Sequence, residues 1–345
     1  MKAAQLNTDS RMVGLDFLRF LAASIVICNH ANMFGQAGVL FEKSPAIVGR
    51  ITGMGWVAVD IFFVLSGFLV SGLLFKEFAR TGTISISRFL IRRGFKIYPP
   101  LWVMIVTTIA WVWLKGGTIP LRSLCGELFY LQNYGLQMWG HTWSLAVEEH
   151  FYFLLAGIFI VQKWRTKPGL AFDFHWIPNL FLTVAVLCLV LRAVTWAVIL
   201  TPTNFNMFWF NRADHALMDS LFFGVLLSHL WHNYWDDQIK MKVFAWRGPL
   251  ALIGAFLVSP IISDVIDLQW FRIFGFILIY LGAGCLLLSS LSLDYFPCPA
   301  FVRWLASLGK YSYSVYLWHI PVGYGLTPLL REKWQGNSLA WSSMH

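Results

Sequence analysis

Residues 13–33 read VGLDFLRFLAASIVICNHANM, an apolar stretch long enough to cross a bilayer that nevertheless holds Asp16, Arg19 and His30. Ionisable side chains are costly in hydrocarbon, so inside such a stretch they mark a functional site by default. Arg19 and His30 are eleven residues apart, and eleven steps of about 100° return to within about 20° of the start. Both therefore lie on one helix face, about 16 Å apart along the axis, which is about half of a hydrocarbon core. Asp16 shares that face at i, i+3 and can pair with Arg19, lowering its burial cost. The bland alternatives are an arginine snorkelling to the interface and a histidine bonded to Asn29 or Asn32.

The rest of the chain has the same character. Of its 345 residues 58% are hydrophobic and 12% charged, against about 25% charged in soluble domains, and mean hydropathy is +0.63. This composition predicts an all-α, polytopic transmembrane bundle of about nine or ten helices. A transmembrane β-barrel would alternate over segments of about 10 residues, and the runs here are longer. Apolar segments fall at 13–34, 55–75, 98–114, 143–162, 177–200, 216–232, 248–263, 270–291 and 311–328. Residues 1–12 read as a polar tail without a cleavage pattern, 13–328 as one transmembrane domain and 329–345 as a short polar tail. The five cysteines, Cys28, Cys125, Cys188, Cys285 and Cys298, have no paired spacing and no zinc or redox motif.

The formal charge of +9 reads as membrane topology rather than nucleic-acid binding. Cations gather at the N-terminus (Lys2, Arg11) and in the connections after even-numbered segments, such as Lys76, Arg80 and Arg88 through Lys96. The connection holding Asp264 and Asp267 has none. The positive-inside rule then places the N-terminus in the cytoplasm, Arg19 near the inner face and His30 toward the outer half. Residues 116–142 are expected as an outer connection dipping back over the site.

Other residues could carry chemistry. Asp60 lies within the second segment, and Ser66-Gly67 and Gly72 are small enough for close helix contact. The block SRFLIRRGFKIYPPLW places Arg92, Arg93 and Lys96 before a helix expected to open at Pro99-Pro100, where a missing N–H costs nothing. Such a cluster can hold phosphates or simply be positive-inside charge. In HTWSLAVEEHFYF, Ser144, Glu148 and Tyr152 recur every four residues on one face, with Glu149 and His150 pointing elsewhere. Trp143, Trp139 and Tyr134 offer stacking surfaces. The last segment supplies Tyr313, Tyr316 and His319, the histidine lying too deep for an aromatic belt.

Six blocks, GLDFLRFLAASIVICNH, DIFFVLSGFL, RRGFKIYPP, TWSLAVEEHFYF, DSLFFGVLLS and YSYSVYLWHIP, occur in an order that resembles the acyltransferase 3 family of integral-membrane O-acyltransferases. The likeness covers most of the chain. Its arginine and histidine in the first helix match Arg19 and His30, and its Arg-x-x-Arg pattern aligns on Arg93 and Lys96. The lysine there loses bidentate geometry. Leu217 stands where the family often has an arginine two residues before Asp219, with Arg212 and His215 as substitutes, and the tenth helix usual in the family has no apolar segment here.

The resemblance implies transfer of an acyl group, most often acetyl, from acyl-CoA on the cytoplasmic side of a bacterial inner membrane to a hydroxyl of a glycan or lipid-linked saccharide. Acyl-CoA is then a co-substrate met by Arg92, Arg93 and Lys96, with no bound cofactor, no metal and no nucleic-acid partner. Catalysis is expected at His30, taking the hydroxyl proton or first forming an acyl-histidine, with Arg19 toward the inner side and Glu148 orienting or stabilising the charged imidazole. Asp16, Asp60, Trp143, Ser144, Tyr313, Tyr316 and His319 are expected to line the site. The alternative is a flippase or exporter of a lipid-linked glycan or small amphipathic solute, since transporters also bury ionisable groups, although no inverted repeat is visible.

Overall fold

The computed structural model describes residues 12–33, 55–134, 136–166, 173–199, 217–259 and 271–325. Among these the chain is an all-α bundle without strands. Its helices are α1 (Val13–Met33), α2 (Gly55–Thr81), α3 (Ile86–Leu114), α4 (Leu121–Leu128), α5 (Trp143–Arg165), α6 (Ile177–Ile199), α7 (Met218–His229), α8 (Asp237–Ala245), α9 (Arg247–Leu257), α10 (Phe271–Leu291), α11 (Ala300–Gly309) and α12 (312–325). Six of them, α1, α2, α3, α5, α6 and α10, are long and apolar enough to cross a membrane.

The centre of the bundle is α2. It is apolar on all sides and buries Phe63, Val64, Phe68 and Phe75 almost completely, as a helix enclosed by others must. It packs against α1, α5, α7 and α10. By contrast, α3 exposes Trp102, Val106 and Trp111, and α6 exposes Leu182, Val186 and Val190. With no water to satisfy in hydrocarbon, such faces suit lipid contact.

The tightest crossing is α2 on α7. A Cβ at Gly67 would stand 1.9 Å from the Leu221 carbonyl oxygen, and one at Gly224 would stand 2.2 Å from that of Val64. The small-residue reading of Gly67 therefore has a backbone-to-backbone cause. Gly67→Ala is expected to destabilise the bundle by about 1–3 kcal/mol, the cost typical of overpacking. Thermal unfolding in detergent measures this, and an unchanged midpoint would mean the crossing is looser than described.

Two features depart from expectation. The helix expected to open at Pro99 begins instead at Ile86, with both prolines inside it. Residues 86–96 include good helix formers such as Leu90, Arg92, Arg93 and Lys96, and the prolines only remove the amides that would meet the Phe95 and Lys96 carbonyls. Neighbouring helices tie this turn down: the Tyr313 hydroxyl donates to the Ile97 carbonyl at 2.8 Å, and the Tyr98 hydroxyl donates to Glu149 on α5. The connection 116–142 is not a plain loop either. Its Glu127, Gln132, Asn133, His141 and Thr142 are each at most 1% exposed, so it folds into the bundle and α5 starts there.

A second polar cluster fastens α2, α6 and α7. Arg192 Nη2 donates to Asp219 Oδ1 at 2.6 Å, with both side chains out of solvent. Ser220 Oγ donates to Asp60 Oδ1 at 2.7 Å. Asp60 is thus a helix-to-helix partner and lines neither cavity described below, contrary to its expected place in the site. Arg192 on α6 is the cation that meets Asp219. Arg212 and His215 lie outside the described residues.

Candidate active site

Helices α1, α2, α3, α5 and α12 surround an open cavity of about 930 Å³, the space outside its mouth included. Arg19, Arg93, Lys96 and Lys310 line it, with Glu148 as the one carboxylate among the described lining residues, so four positive charges face one negative. Each cation has a local reason to be there. Arg19 is held by Asp16 at 3.2 Å, one turn back on α1. Arg93 sits over the Tyr152 ring, 5.6 Å from its centroid, a favourable place for a guanidinium. Arg93 and Lys96 share a face at i, i+3. Arg92, one residue aside, is exposed and lines neither cavity, which separates it from the cluster it was grouped with.

Glu148 is positioned by its own helix and by α2. The Tyr152 hydroxyl, one turn on, donates to Glu148 Oε2 at 2.6 Å, and Ser66 Oγ lies 2.7 Å from that hydroxyl and 3.4 Å from Oε2. The expected pairing of Glu148 with His30 is therefore not made. The carboxylate sits at the level of Arg19, and His30 lies about 16 Å further along α1. Glu149, expected to point away from this face, lines neither cavity; it is 4% exposed and accepts from the Tyr98 hydroxyl.

His30 lines a second cavity, of about 790 Å³, with Ile27, Ala31, Val315, Trp318 and His319. His30 Nδ1 lies 3.0 Å from His319 Nε2 and 3.0 Å from the Val26 carbonyl oxygen. His319 Nδ1 lies 2.6 Å from the Tyr316 carbonyl oxygen. A third histidine, His141, sets its ring edge-on to that of His319, centroids 5.1 Å apart, and reaches the Leu317 carbonyl through Nε2 at 3.1 Å. Among the described residues no group of three or more His, Cys, Asp or Glu is arranged to hold a metal ion.

Both cavities border α12. Tyr313 and Tyr316 line the first cavity with Ser144. The Tyr316 hydroxyl donates to the His141 carbonyl at 2.7 Å, so Ser144, 2.7 Å away, must donate to the Tyr316 oxygen. Three residues on, about 4.5 Å of helical rise, His319 faces the second cavity. One turn of α12 thus joins a cationic pocket to a histidine pair. Trp143 takes no part in either lining; it is 7% exposed and packs edge-on to Phe63.

His141 and Lys310 were not singled out from sequence. His141 precedes an apolar segment and Lys310 stands in a loop of topological charge, so only tertiary placement reveals them. The first-turn signal of α5, HTW, was the one available cue for His141.

The family model described as an acyltransferase domain, Acyl_transf_3, matches residues 12–344. The chain is 28% identical over 349 residues to a Staphylococcus aureus MSSA476 protein named provisionally as O-acetyltransferase SAS0844, covering 90% of this chain and 50% of that protein. It is 24% identical over 333 residues to O-acetyltransferase OatA of Staphylococcus aureus NCTC 8325, with the same coverage. The chain therefore spans about half the length of the curated relatives it matches. No solved structure matches it. Six apolar helices, the ordered motif blocks and a family match along nearly its whole length place this chain in the acyltransferase 3 family.

Proposed function

We propose that the protein is an O-acyltransferase of the bacterial cytoplasmic membrane, moving an acyl group, in the first instance acetyl, from cytoplasmic acyl-CoA to a hydroxyl of a cell-surface or exported glycan. The transmembrane unit 13–328 carries the reaction, with the N-terminus inside and tails at 1–12 and 329–345. The observation that carries this reading is that one turn of α12 lines the cationic cavity with Tyr316 and the histidine cavity with His319. The anionic groups of the donor suit Arg19, Arg93, Lys96 and Lys310, the arginines through paired N–H groups and the lysines as point charges. The acceptor hydroxyl gives its proton to His30 as its oxygen bonds to the acyl carbon. The carbon–sulfur bond then breaks, and the departing thiolate takes up the proton that His30 accepted, which returns the imidazole to its neutral form. Glu148, held by Tyr152 and Ser66, balances the cations rather than orienting the imidazole. No resident metal or cofactor enters this scheme, and the relatives' printed names support an O-linked product.

The test is glycan analysis of cells with and without the gene, by mass spectrometry and proton NMR for labile O-acyl groups. Loss of an acyl signal, restored by the wild-type gene, identifies acyl group and acceptor together. Unchanged acylation with a glycan intermediate accumulating inside the cell would replace this reading with the exporter. A second expectation concerns the donor pocket. A charge-assisted hydrogen bond contributes about 1.5–3 kcal/mol, so Arg93→Ala should raise KM for acetyl-CoA about tenfold or more with a smaller change in kcat. An unchanged KM in membrane vesicles would remove Arg93 from donor binding.

A further inference from the structure

The hydrogen bonds around the two histidines leave little freedom in where their protons sit. A carbonyl oxygen can only accept, so His319 Nδ1, 2.6 Å from the Tyr316 oxygen, carries a proton. When His319 is neutral its Nε2 then holds the lone pair and must accept. The atom 3.0 Å away is His30 Nδ1, which also faces the Val26 carbonyl at 3.0 Å. His319 Nε2 and the Val26 carbonyl both accept at His30 Nδ1, so this nitrogen carries the proton and a neutral His30 keeps its lone pair on Nε2. The opposite tautomers would set lone pairs against two carbonyl oxygens.

We infer that His319 is a positioning residue for His30: with the Val26 carbonyl it accepts the Nδ1 proton, sets the ring and stabilises the imidazolium formed at Nε2. This rests on the proposed role of His30 as the base. The proton taken from the acceptor hydroxyl rests on Nε2 until it leaves with the departing thiolate, while Nδ1–H remains hydrogen-bonded to His319 and is not transferred to it. The arrangement places a neutral imidazole where many acid–base pairs place a carboxylate, and Glu148 has no part in it. Other titratable groups around the pair are His141, against His319 from the segment entering α5, and Tyr316 on α12. On α1 the next ones are Cys28, two residues back, and then Arg19 and Asp16. From α2, Gly55 meets Asn29 beside the pair, and the first acid of that helix, Asp60, is bonded to Ser220.

The experiment uses the full chain in membrane vesicles, with acetyl-CoA as donor and glycan extracted from cells lacking the gene as acceptor, reading thiol release against pH. His319→Leu should lower kcat about 10- to 100-fold, a share of the roughly 10²- to 10⁴-fold that general-base catalysis supplies. Without the acceptor the imidazolium is less stable, so the acid limb of the profile should move about one unit to lower pH. His319→Gln, which keeps an acceptor oxygen, should restore most of both. A rate lowered equally at every pH with an unmoved limb would make His319 structural and overturn the inference. Loss as complete as in His30→Ala, without rescue by glutamine, would make His319 itself the base and overturn it too. If His30→Ala keeps transfer, the reading of His30 as base fails and the positioning role goes with it. If His30→Ala is dead while His319→Leu is unaltered in rate and profile, only the inference about His319 fails.

Discussion

His30→Ala abolishes acyl transfer while the protein remains inserted and folded. The two halves of that expectation come from different parts of α1. The packing of this helix rests on Leu15, Leu18, Ala22 and Val26, each at most 4% exposed, whereas His30 is only half-buried and lines a cavity. Removing its ring enlarges a space that already exists. The chemical loss is larger, because the acceptor hydroxyl then has no base and the reaction forfeits about 10²- to 10⁴-fold. Thiol release from acetyl-CoA and recovery of O-acylated glycan measure the loss, with detergent-extracted yield and thermal midpoint as controls. Turnover above a few per cent of wild type in a well-folded variant would take His30 out of the mechanism.

Arg192→Ala is expected to have the largest effect on stability. The Arg192 side chain is 0% exposed, and its partner Asp219 is 1% exposed at 2.6 Å. Taking the cation away leaves a carboxylate among apolar helices, and breaking a buried pair in this way costs about 3–5 kcal/mol. Part of the loss reaches the Asp60–Ser220 contact next to it, so α2, α6 and α7 loosen together. Replacing both members, Arg192→Leu with Asp219→Leu, removes the uncompensated charge and should recover most of the stability. Thermal unfolding in one detergent across the series gives the answer. A single variant as stable as wild type would show that the pair contributes nothing to the bundle.

The parts of this molecule that sequence made legible are those written in local spacing. The i, i+3 relation of Asp16 and Arg19 appears as an ion pair, the apolar run of residues 13–33 appears as α1, and Gly67 sits where helices touch. Arg93 and Lys96 face one cavity because three residues on a helix nearly close a turn. What stayed hidden depends on how helices are brought together. Glu148 has the spacing to meet Tyr152, yet nothing in its neighbourhood tells that α5 starts inside the bundle and so sets the carboxylate level with Arg19. Arg192 stands in an ordinary apolar run and meets Asp219 across 27 residues. The start of α3 was masked by two prolines, whose lost amides matter less where other helices supply partners.

The histidine pair also bears on how the protein is made. Its two members are 289 residues apart in sequence, on the first and the last described helices. At about 5–20 residues per second, α1 waits some 15–60 s after its own synthesis before α12 exists to complete the pair. The amides of Val13 and Gly14 at the start of α1 likewise await Asp294, which accepts them at 2.6 and 3.3 Å. Insertion therefore precedes competence: a nascent chain lacking α12 holds its first helix in the bilayer with no histidine pair, and translation must pass His319 before the pair can form.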